Sequence, residues 1–328
     1  MDRDDKLSDV SRRVFIGGAA ALTSVLAFGA VPSASAAGRI VFGGYTDGMD
    51  AYPKRLDTLA GLVGMPMSIA SVFRGPGDIW PGPVEATLAA GRTLLVAWYL
   101  DHETFAYWAS TAARAEIVAV ARRVKAYGKV VAIRPWAEMN GDWQSWRPTA
   151  SPTGGYATGY AAFIAAWRNL VNIFRAEGAT NVRWVFNPTT DTYAGTTDVR
   201  SIWPGSSYVN ILGLDGYNWG TGGIFTWRSF ANIYQTQYNR LVALAPTLPL
   251  WICEVGCADP LSAVNTVTAP SGQSKAQWWK ETSLSVQKMP AVRAVVLFDK
   301  AKERDWRAAS SAPALTGLRN ALATMKAY

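Results

Sequence analysis

Eight short hydrophobic runs recur along this chain, and most are separated by enough residues for a helix. They are rich in β-branched and aromatic residues. Most are continuously apolar, which is typical of parallel strands covered on both faces. The runs lie at 39–46, 65–73, 92–100, 129–136, 181–187, 209–217, 248–255 and 292–299. Helical patterns lie at 112–126, 156–177, 230–244 and 274–285. Gly128 and Gly178 follow the first two patterns, as glycine commonly does at a helix end.

Alternating strands and helices predict an α/β fold of right-handed βα units. Eight such units over this length predict a (β/α)8 TIM barrel in a single domain spanning 37–328. The alternative, an open doubly wound sheet, needs a glycine-rich phosphate turn after its first strand. The 43–48 segment, GGYTDG, lacks that spacing. We therefore expect a barrel with its active site at the carboxyl ends of the strands.

The first 36 residues have the pattern of a twin-arginine-type signal peptide. Arg12 and Arg13 precede an apolar run at 14–31, and small residues at 34–36 suit a cleavage site. The run is long enough to cross a bilayer, so an uncleaved anchor is the alternative. Three glycines in the run weaken it as a helix. We expect a protein secreted from the cell or associated with the cell wall.

The composition excludes several kinds of site. The net charge is +8, yet no nucleic-acid motif or concentrated basic stripe is visible, so we expect no nucleic-acid partner. His102 is the only histidine, which excludes a histidine-rich metal site, and we expect neither metal nor cofactor. Cys253 and Cys257 leave a disulfide open, because their spacing permits one without showing it. We expect a monomer.

Two glutamates follow predicted strands at the same end of the barrel. Glu138 ends the fourth strand and Glu254 ends the seventh, so both should face the barrel mouth. Glycoside hydrolysis needs two carboxyl groups that flank one bond: one protonates the leaving oxygen, and the other attacks C1 or activates water. A salt-bridged structural carboxylate is the alternative for each glutamate alone. Together they predict a glycoside hydrolase.

The two carboxyl groups need opposite protonation states. The acid must hold a proton near neutral pH, and apolar burial beside Trp136 or Trp143 would raise its pKa. The nucleophile must stay ionised, and Arg134 or the hydroxyl of Tyr217 would hold it so. These aromatic and polar neighbours therefore belong to the predicted site.

Four motifs resemble glycoside hydrolase family 26. The segment 134–143, RPWAEMNGDW, resembles the acid/base strand of the family, and 252–256, ICEVG, resembles its nucleophile strand. The segments 213–220, GLDGYNWG, and 298–306, FDKAKERDW, resemble the sixth strand and the closing segment. The resemblance runs in order over nearly all of the chain after the predicted signal.

The resemblance implies a retaining endo-acting β-glycanase, with β-mannan the commonest substrate and mixed-linkage β-glucan or β-xylan as alternatives. It implies that Glu138 is the acid/base, Glu254 the nucleophile and Tyr217 a hydrogen-bond partner of the nucleophile. The residues that we expect to bind the polysaccharide or oligosaccharide are Arg134, Trp136, Asn140, Trp143, Asp215, Tyr217, Trp219, Asp299 and Trp306. Many mannanases of the family carry histidine immediately before the acid/base, whereas this chain has Ala137.

Other interpretations stay open for the site and for individual residues. Ala137 favours a carbohydrate-binding barrel with weak or no hydrolysis, and a third class is a barrel enzyme acting on a non-sugar substrate. For each tryptophan at the barrel rim, packing in the core is the alternative to stacking on a sugar. For the asparagines and aspartates at the rim, capping of a loop or helix is the alternative to binding substrate.

Overall fold

Eight parallel strands form the predicted closed barrel. The structure, a computed structural model, describes residues 40–150, 159–193, 195–264 and 266–327, so the predicted signal peptide at 1–36 lies outside the described residues. Neighbouring strands pair in sequence order, and β8 closes on β1. The strands are β1 Val41–Thr46, β2 Ile69–Arg74, β3 Thr93–Trp98, β4 Val131–Pro135, β5 Val182–Phe186, β6 Ile211–Asn218, β7 Leu250–Cys257 and β8 Val292–Asp299.

Helices surround the barrel. The α-helices in the described residues are α1 Arg55–Val63, α2 Pro83–Leu88, α3 Phe105–Trp108, α4 Arg114–Tyr127, α5 Tyr160–Ala176, α6 Phe230–Leu244, α7 Lys275–Val286 and α8 Ala312–Ala327. The helix predicted at 230–244 has these bounds in the structure, and those at 112–126 and 274–285 are offset by one or two residues. None of the helices in the described segments is both long and apolar enough to cross a membrane.

Strand residues alternate between two apolar layers. Outward-facing side chains such as Val96 and Ile133 pack under the helices in the main core. Inward-facing side chains such as Leu95 and Ala132 fill a smaller cluster inside the barrel. The period of two along a strand produces this alternation, and it makes the barrel interior a packed core rather than a pore.

A bulge in β7 interrupts the alternation. Leu214 of β6 pairs with Ile252, but the next residue, Asp215, pairs with Glu254, so Cys253 is the extra residue. Cys253 packs inside the barrel, whereas Ile252 packs in the outer layer. A bulge re-aims the side chains that follow it. Glu254 therefore faces the barrel interior directly after Cys253, instead of pointing outward at the helices.

The two cysteines do not form a disulfide. Cys253 lies in the interior cluster, whereas Cys257 lies in the outer layer. Both thiols are free and buried. The Sγ atom of Cys257 accepts a hydrogen bond from Asn218 Nδ2 at 3.4 Å. The disulfide that the spacing had left open is therefore absent here, because the side chains lie in different layers.

Candidate active site

Glu254 lies at the mouth of the barrel with both carboxylate oxygens engaged. Arg134 Nη2 donates to Oε1 at 2.6 Å, and the Tyr217 hydroxyl donates to Oε2. Arg134 is fully buried and its Nη1 also donates to Asp215 Oδ2 at 2.9 Å. Burial alone would lower the pKa of Arg134, but the carboxylates of Asp215 and Glu254 raise it. The guanidinium is therefore a permanent cation that pairs with Glu254.

Glu138 lies in a different environment. Its Oε2 accepts hydrogen bonds from Trp143 Nε1 at 3.3 Å and Gln144 Nε2 at 3.1 Å, and within the described residues it forms no ion pair. Burial, and next the charge of Glu254, raise the pKa of Glu138 to about 7. A carboxyl group of this kind holds a proton near neutral pH. Asn187 connects the two predicted glutamates: its carbonyl accepts from the Glu138 N–H, and its Oδ1 accepts from Arg134, which also binds Glu254.

The backbone around Glu138 is held in an unusual conformation. Trp136 and Glu138 both have left-handed backbones, with φ of 51° and 57°. Such residues cost on the order of 1–3 kcal/mol each and persist where the surroundings impose them. The Glu138 N–H donates to the Asn187 carbonyl at 2.8 Å, which links the end of β4 to the end of β5. The strain therefore fixes the direction in which the Glu138 carboxyl group enters the cleft.

Two of the predicted contact residues, Asp215 and Asn140, are buried beneath the site. Asp215 is fully buried; burial, and next Glu254, raise its pKa well above the usual range. Asn140 is also fully buried, and it bonds the backbone of Thr189 in both directions and the Asp191 carbonyl. Asn140 thus connects the loop after β4 to the loop after β5. This is the loop-capping role that the sequence left open as the alternative to sugar binding.

Two predicted contact residues, the buried Trp136 and the partly buried Asp299, are held by contacts within the protein. Trp136 has no exposed surface and packs against Phe105 and Phe163. Asp299 accepts bonds from Thr46 Oγ1 at 2.8 Å and from the Ala308 N–H at 2.7 Å, so both of its oxygens are occupied. We replace the sugar-stacking role predicted for Trp136 with a packing role, because a sugar cannot reach its ring. Through these bonds Asp299 connects the end of β8 to the end of β1 and to the loop before α8.

The remaining predicted tryptophans differ in accessibility. Trp143 is half-exposed beside Glu138, so one part of its ring is open to a ligand. Trp219 is partly buried, stacked on Phe225 at 4.6 Å and covered by the Arg304 guanidinium. Trp306 is only 3% exposed and contacts the Tyr217 ring, with centroids 4.8 Å apart. Trp306 is therefore a support for Tyr217 rather than a surface for sugar.

Two residues at the site were missed by sequence reasoning. Tyr99 lies directly after β3; burial, and next the charge of Glu254, raise the pKa of its hydroxyl. Its ring packs against Trp146 at 5.3 Å. The rule that strand ends line the mouth would have found Tyr99. Gln144 lies in a turn, and nothing in its local sequence indicated that it would bond Glu138.

Comparisons with known proteins identify the family of this chain. The family model for glycosyl hydrolase family 26 matches residues 96–283. Endoglucanase H of Acetivibrio thermocellus is 34% identical over 254 residues, which cover 74% of this chain and 26% of that protein. A mannan endo-1,4-beta-mannosidase A and B of Caldalkalibacillus mannanilyticus is 34% identical over 140 residues, or 41% of this chain and 23% of that protein. The chain thus spans about a quarter of the length of these curated relatives.

Solved structures show the same fold. GH26A from Muricauda sp. MAR_2010_75 superposes with a TM-score of 0.58 at 17% identity, and the match covers 85% of this chain and 88% of that one. At this identity the likeness concerns the barrel alone.

Proposed function

Since the chain belongs to glycoside hydrolase family 26, we propose that it is a retaining, endo-acting glycoside hydrolase of β-linked polysaccharides. Glu138 is the general acid/base and Glu254 is the nucleophile. The observation that carries this proposal is the contrast between two neighbouring carboxyl groups. Glu254 is bonded by Arg134 and Tyr217, whereas the pKa of Glu138 is raised to about 7. Carboxyl groups whose environments separate their protonation states are typical of an acid and a nucleophile.

The proposed reaction has two steps. In the first, Glu138 gives its proton to the glycosidic oxygen while a Glu254 carboxylate oxygen bonds to the anomeric carbon, and the bond to the leaving sugar breaks. In the second, the ionised Glu138 takes a proton from a water molecule that attacks the same carbon, and Glu254 leaves. Two displacements at one carbon retain its β configuration.

The roles of Arg134 and Tyr217 follow from their contacts. Both donors hold Glu254 as a carboxylate and orient it, so little rearrangement is needed before attack. The half-exposed Trp143 ring beside Glu138 is placed to contact the sugar next to the cleaved bond.

Glu138→Gln and Glu254→Gln test the roles of the two acids. We expect each variant to lose at least about 10³-fold in kcat on polysaccharide while keeping its far-UV circular dichroism spectrum. For Glu138→Ala, azide should restore turnover of an aryl β-glycoside and yield the β-glycosyl azide, which proton NMR identifies. Full activity in either Gln variant, or an α-azide product, contradicts the assignment.

For the substrate we propose a β-linked glucan backbone, with β-mannan as the second candidate. Endoglucanase H, which matches 74% of this chain, is named an endoglucanase, and Ala137 replaces the histidine found in many mannanases of the family. Mannan is favoured by the names of two other relatives, both mannan endo-1,4-beta-mannosidases.

A hydrolysis screen separates these candidates. The purified chain is incubated with mixed-linkage β-glucan, carboxymethylcellulose, glucomannan, galactomannan and β-xylan, and kcat/KM is measured from reducing ends. The highest value on a glucan supports our proposal, and the highest value on galactomannan overturns it in favour of mannan. A fall in viscosity that precedes sugar release indicates endo action. Binding to a polysaccharide without products would make the chain a carbohydrate-binding barrel.

A further inference from the structure

Lys275 is a buried cation outside the cleft. It is the first residue of α7, directly after the N-cap Ser274, and only 1% of it is exposed. A buried ammonium is costly unless it is paired and hydrogen-bonded. The positive end of the helix dipole makes this position less favourable still. An apolar side chain at this position would avoid both costs. The presence of lysine therefore indicates a role for the hydrogen bonds of its ammonium group.

The ammonium group binds the chain on both sides of Trp306. Nζ donates to the Asp305 carbonyl at 3.1 Å and to the Arg307 carbonyl at 2.8 Å. The Asp305 carboxylate is occupied by Ser262 and Arg307. Lys275 therefore donates its hydrogen bonds to the backbone of the loop after β8. These bonds fix the position of Trp306, which lies between the two carbonyls.

Trp306 transmits this position to the site. Its ring lies against Tyr217, with centroids 4.8 Å apart, and both rings lie over Gly256 of β7. A Cβ atom at Gly256 would lie 2.8 Å from Tyr217 Cδ1 and 3.0 Å from Trp306 Cε3. Packing against Gly256 and Trp306 therefore restricts the Tyr217 ring, whose hydroxyl donates to Glu254.

We infer that Lys275 is a positioning residue, which acts through Trp306 and Tyr217 to hold the hydrogen bond to Glu254. This inference rests on the proposed role of Glu254 as nucleophile. Lys275 touches neither substrate nor the reacting atoms. Its effect reaches Glu254 only through packing, so its loss should resemble a partial loss of the Tyr217 hydroxyl.

A double-mutant cycle tests the coupling. Lys275→Met, Tyr217→Phe and the double variant are compared by kcat and KM. Loss of a hydrogen bond to a charged group is expected to lower kcat about tenfold to hundredfold for Tyr217→Phe. We expect a smaller fall in kcat for Lys275→Met, with KM little changed, and a double variant no slower than Tyr217→Phe alone.

The comparison of kcat with KM separates positioning from a merely structural role. Loss of a positioning residue lowers kcat while KM stays near the wild-type value, because Glu254 is misoriented in a folded cleft. Leu170→Ala, a cavity variant of the buried Leu170 in α5, is the control: it lowers stability but leaves kcat unchanged.

Two outcomes would overturn the inference: independent, multiplying effects in the cycle, or wild-type kinetics in Lys275→Met. If Lys275→Met does not fold, Trp306→Phe takes its place in the same cycle, with the same expected fall in kcat. Failure of the proposed function is distinguishable, because it would appear as an active Glu254→Gln variant whatever the Lys275 variants do.

Discussion

Arg134 Nη2 lies 2.6 Å from Glu254 Oε1 at a position where the guanidinium is fully buried. The same guanidinium lies 2.9 Å from Asp215, so one cation compensates two carboxyl groups below the cleft. A buried charge network of this kind is destabilising when one member is removed, because the others lose their partner. The site is therefore both the proposed catalytic centre and a sensitive part of the barrel.

Arg134→Met should lower the free energy of unfolding by about 3–5 kcal/mol, as expected for a broken buried ion pair. Urea titration followed by circular dichroism measures the change. Arg122→Met is the matched control, because Arg122 forms an exposed pair with Glu177 at 2.8 Å. Exposed pairs contribute about 0–1 kcal/mol. Equal losses in the two variants would refute a special role for Arg134.

Glu138 should set the alkaline limb of the activity profile. Its carboxyl group must carry a proton to protonate the leaving oxygen, and burial and Glu254 raise its pKa to about 7. Activity should therefore fall as pH rises above about 7, by tenfold per unit once the group is ionised. The hydrogen bond from Trp143 lowers this pKa, so Trp143→Phe should move the limb to higher pH. A limb that stays in place in Trp143→Phe contradicts the assignment of Glu138.

The same raised pKa makes Glu138 unfavourable for stability at alkaline pH. Because the folded pKa exceeds the unfolded one, stability falls as pH rises from about 4.5 through 7, where the folded protein must ionise a buried group. Glu138→Gln should therefore melt at a higher temperature than the parent at pH 8, and at nearly the same temperature at pH 4. Glu177→Gln is the control, since the Arg122 hydrogen bond lowers the pKa of Glu177, and this variant should show no gain at pH 8. An unchanged melting temperature for Glu138→Gln at pH 8 would count against the raised pKa.

Gly256→Ala should reduce activity by displacing Tyr217, because the added Cβ would overlap both Tyr217 and Trp306. We expect kcat to fall about tenfold or more, close to the value for Tyr217→Phe. Gly61→Ala is the control: nothing lies within 4 Å of its added Cβ inside α1. It should keep activity and gain about 0.5–1 kcal/mol of stability. Wild-type kcat in Gly256→Ala would show that Tyr217 tolerates the displacement.

We propose that residues 1–36 direct export, as the Arg12-Arg13 pair and the apolar run predict. Replacing both arginines with lysine should leave the protein inside the producing cells. Immunoblots of cells and medium measure the distribution, with Lys6→Arg as the charge-preserving control. Equal secretion of the Lys-Lys variant would contradict a twin-arginine route.

Much of the fold could be predicted from local patterns. Continuous hydrophobic runs marked all eight strands, because strands of a parallel barrel are buried on both faces. The short α2 and α3 carry too few periodic residues to be recognised, and α1 and α8 were not predicted either. The rim rule then predicted that Glu138, Glu254 and Tyr217 lie at one mouth, since every parallel strand ends on the same side.

Other features depended on contacts between distant segments. The bulge at Cys253 turns Glu254 inward, and no residue near position 253 signals it, because a bulge is a property of the pairing between β6 and β7. The left-handed backbone of Glu138 is imposed in part by its bond to Asn187. Trp136 and Trp143 look alike in the sequence, yet one is buried and the other half-exposed.

The sequence by itself determined the barrel and predicted that Glu138 and Glu254 lie at one end of it, because hydrophobic periodicity and strand direction are local properties of the chain. Only the tertiary structure decided that Arg134 and Tyr217 bond Glu254, whereas burial and the charge of Glu254 raise the pKa of Glu138 to about 7. Burial and charge at a carboxyl group depend on everything that packs around it, and those neighbours come from strands far apart in the chain.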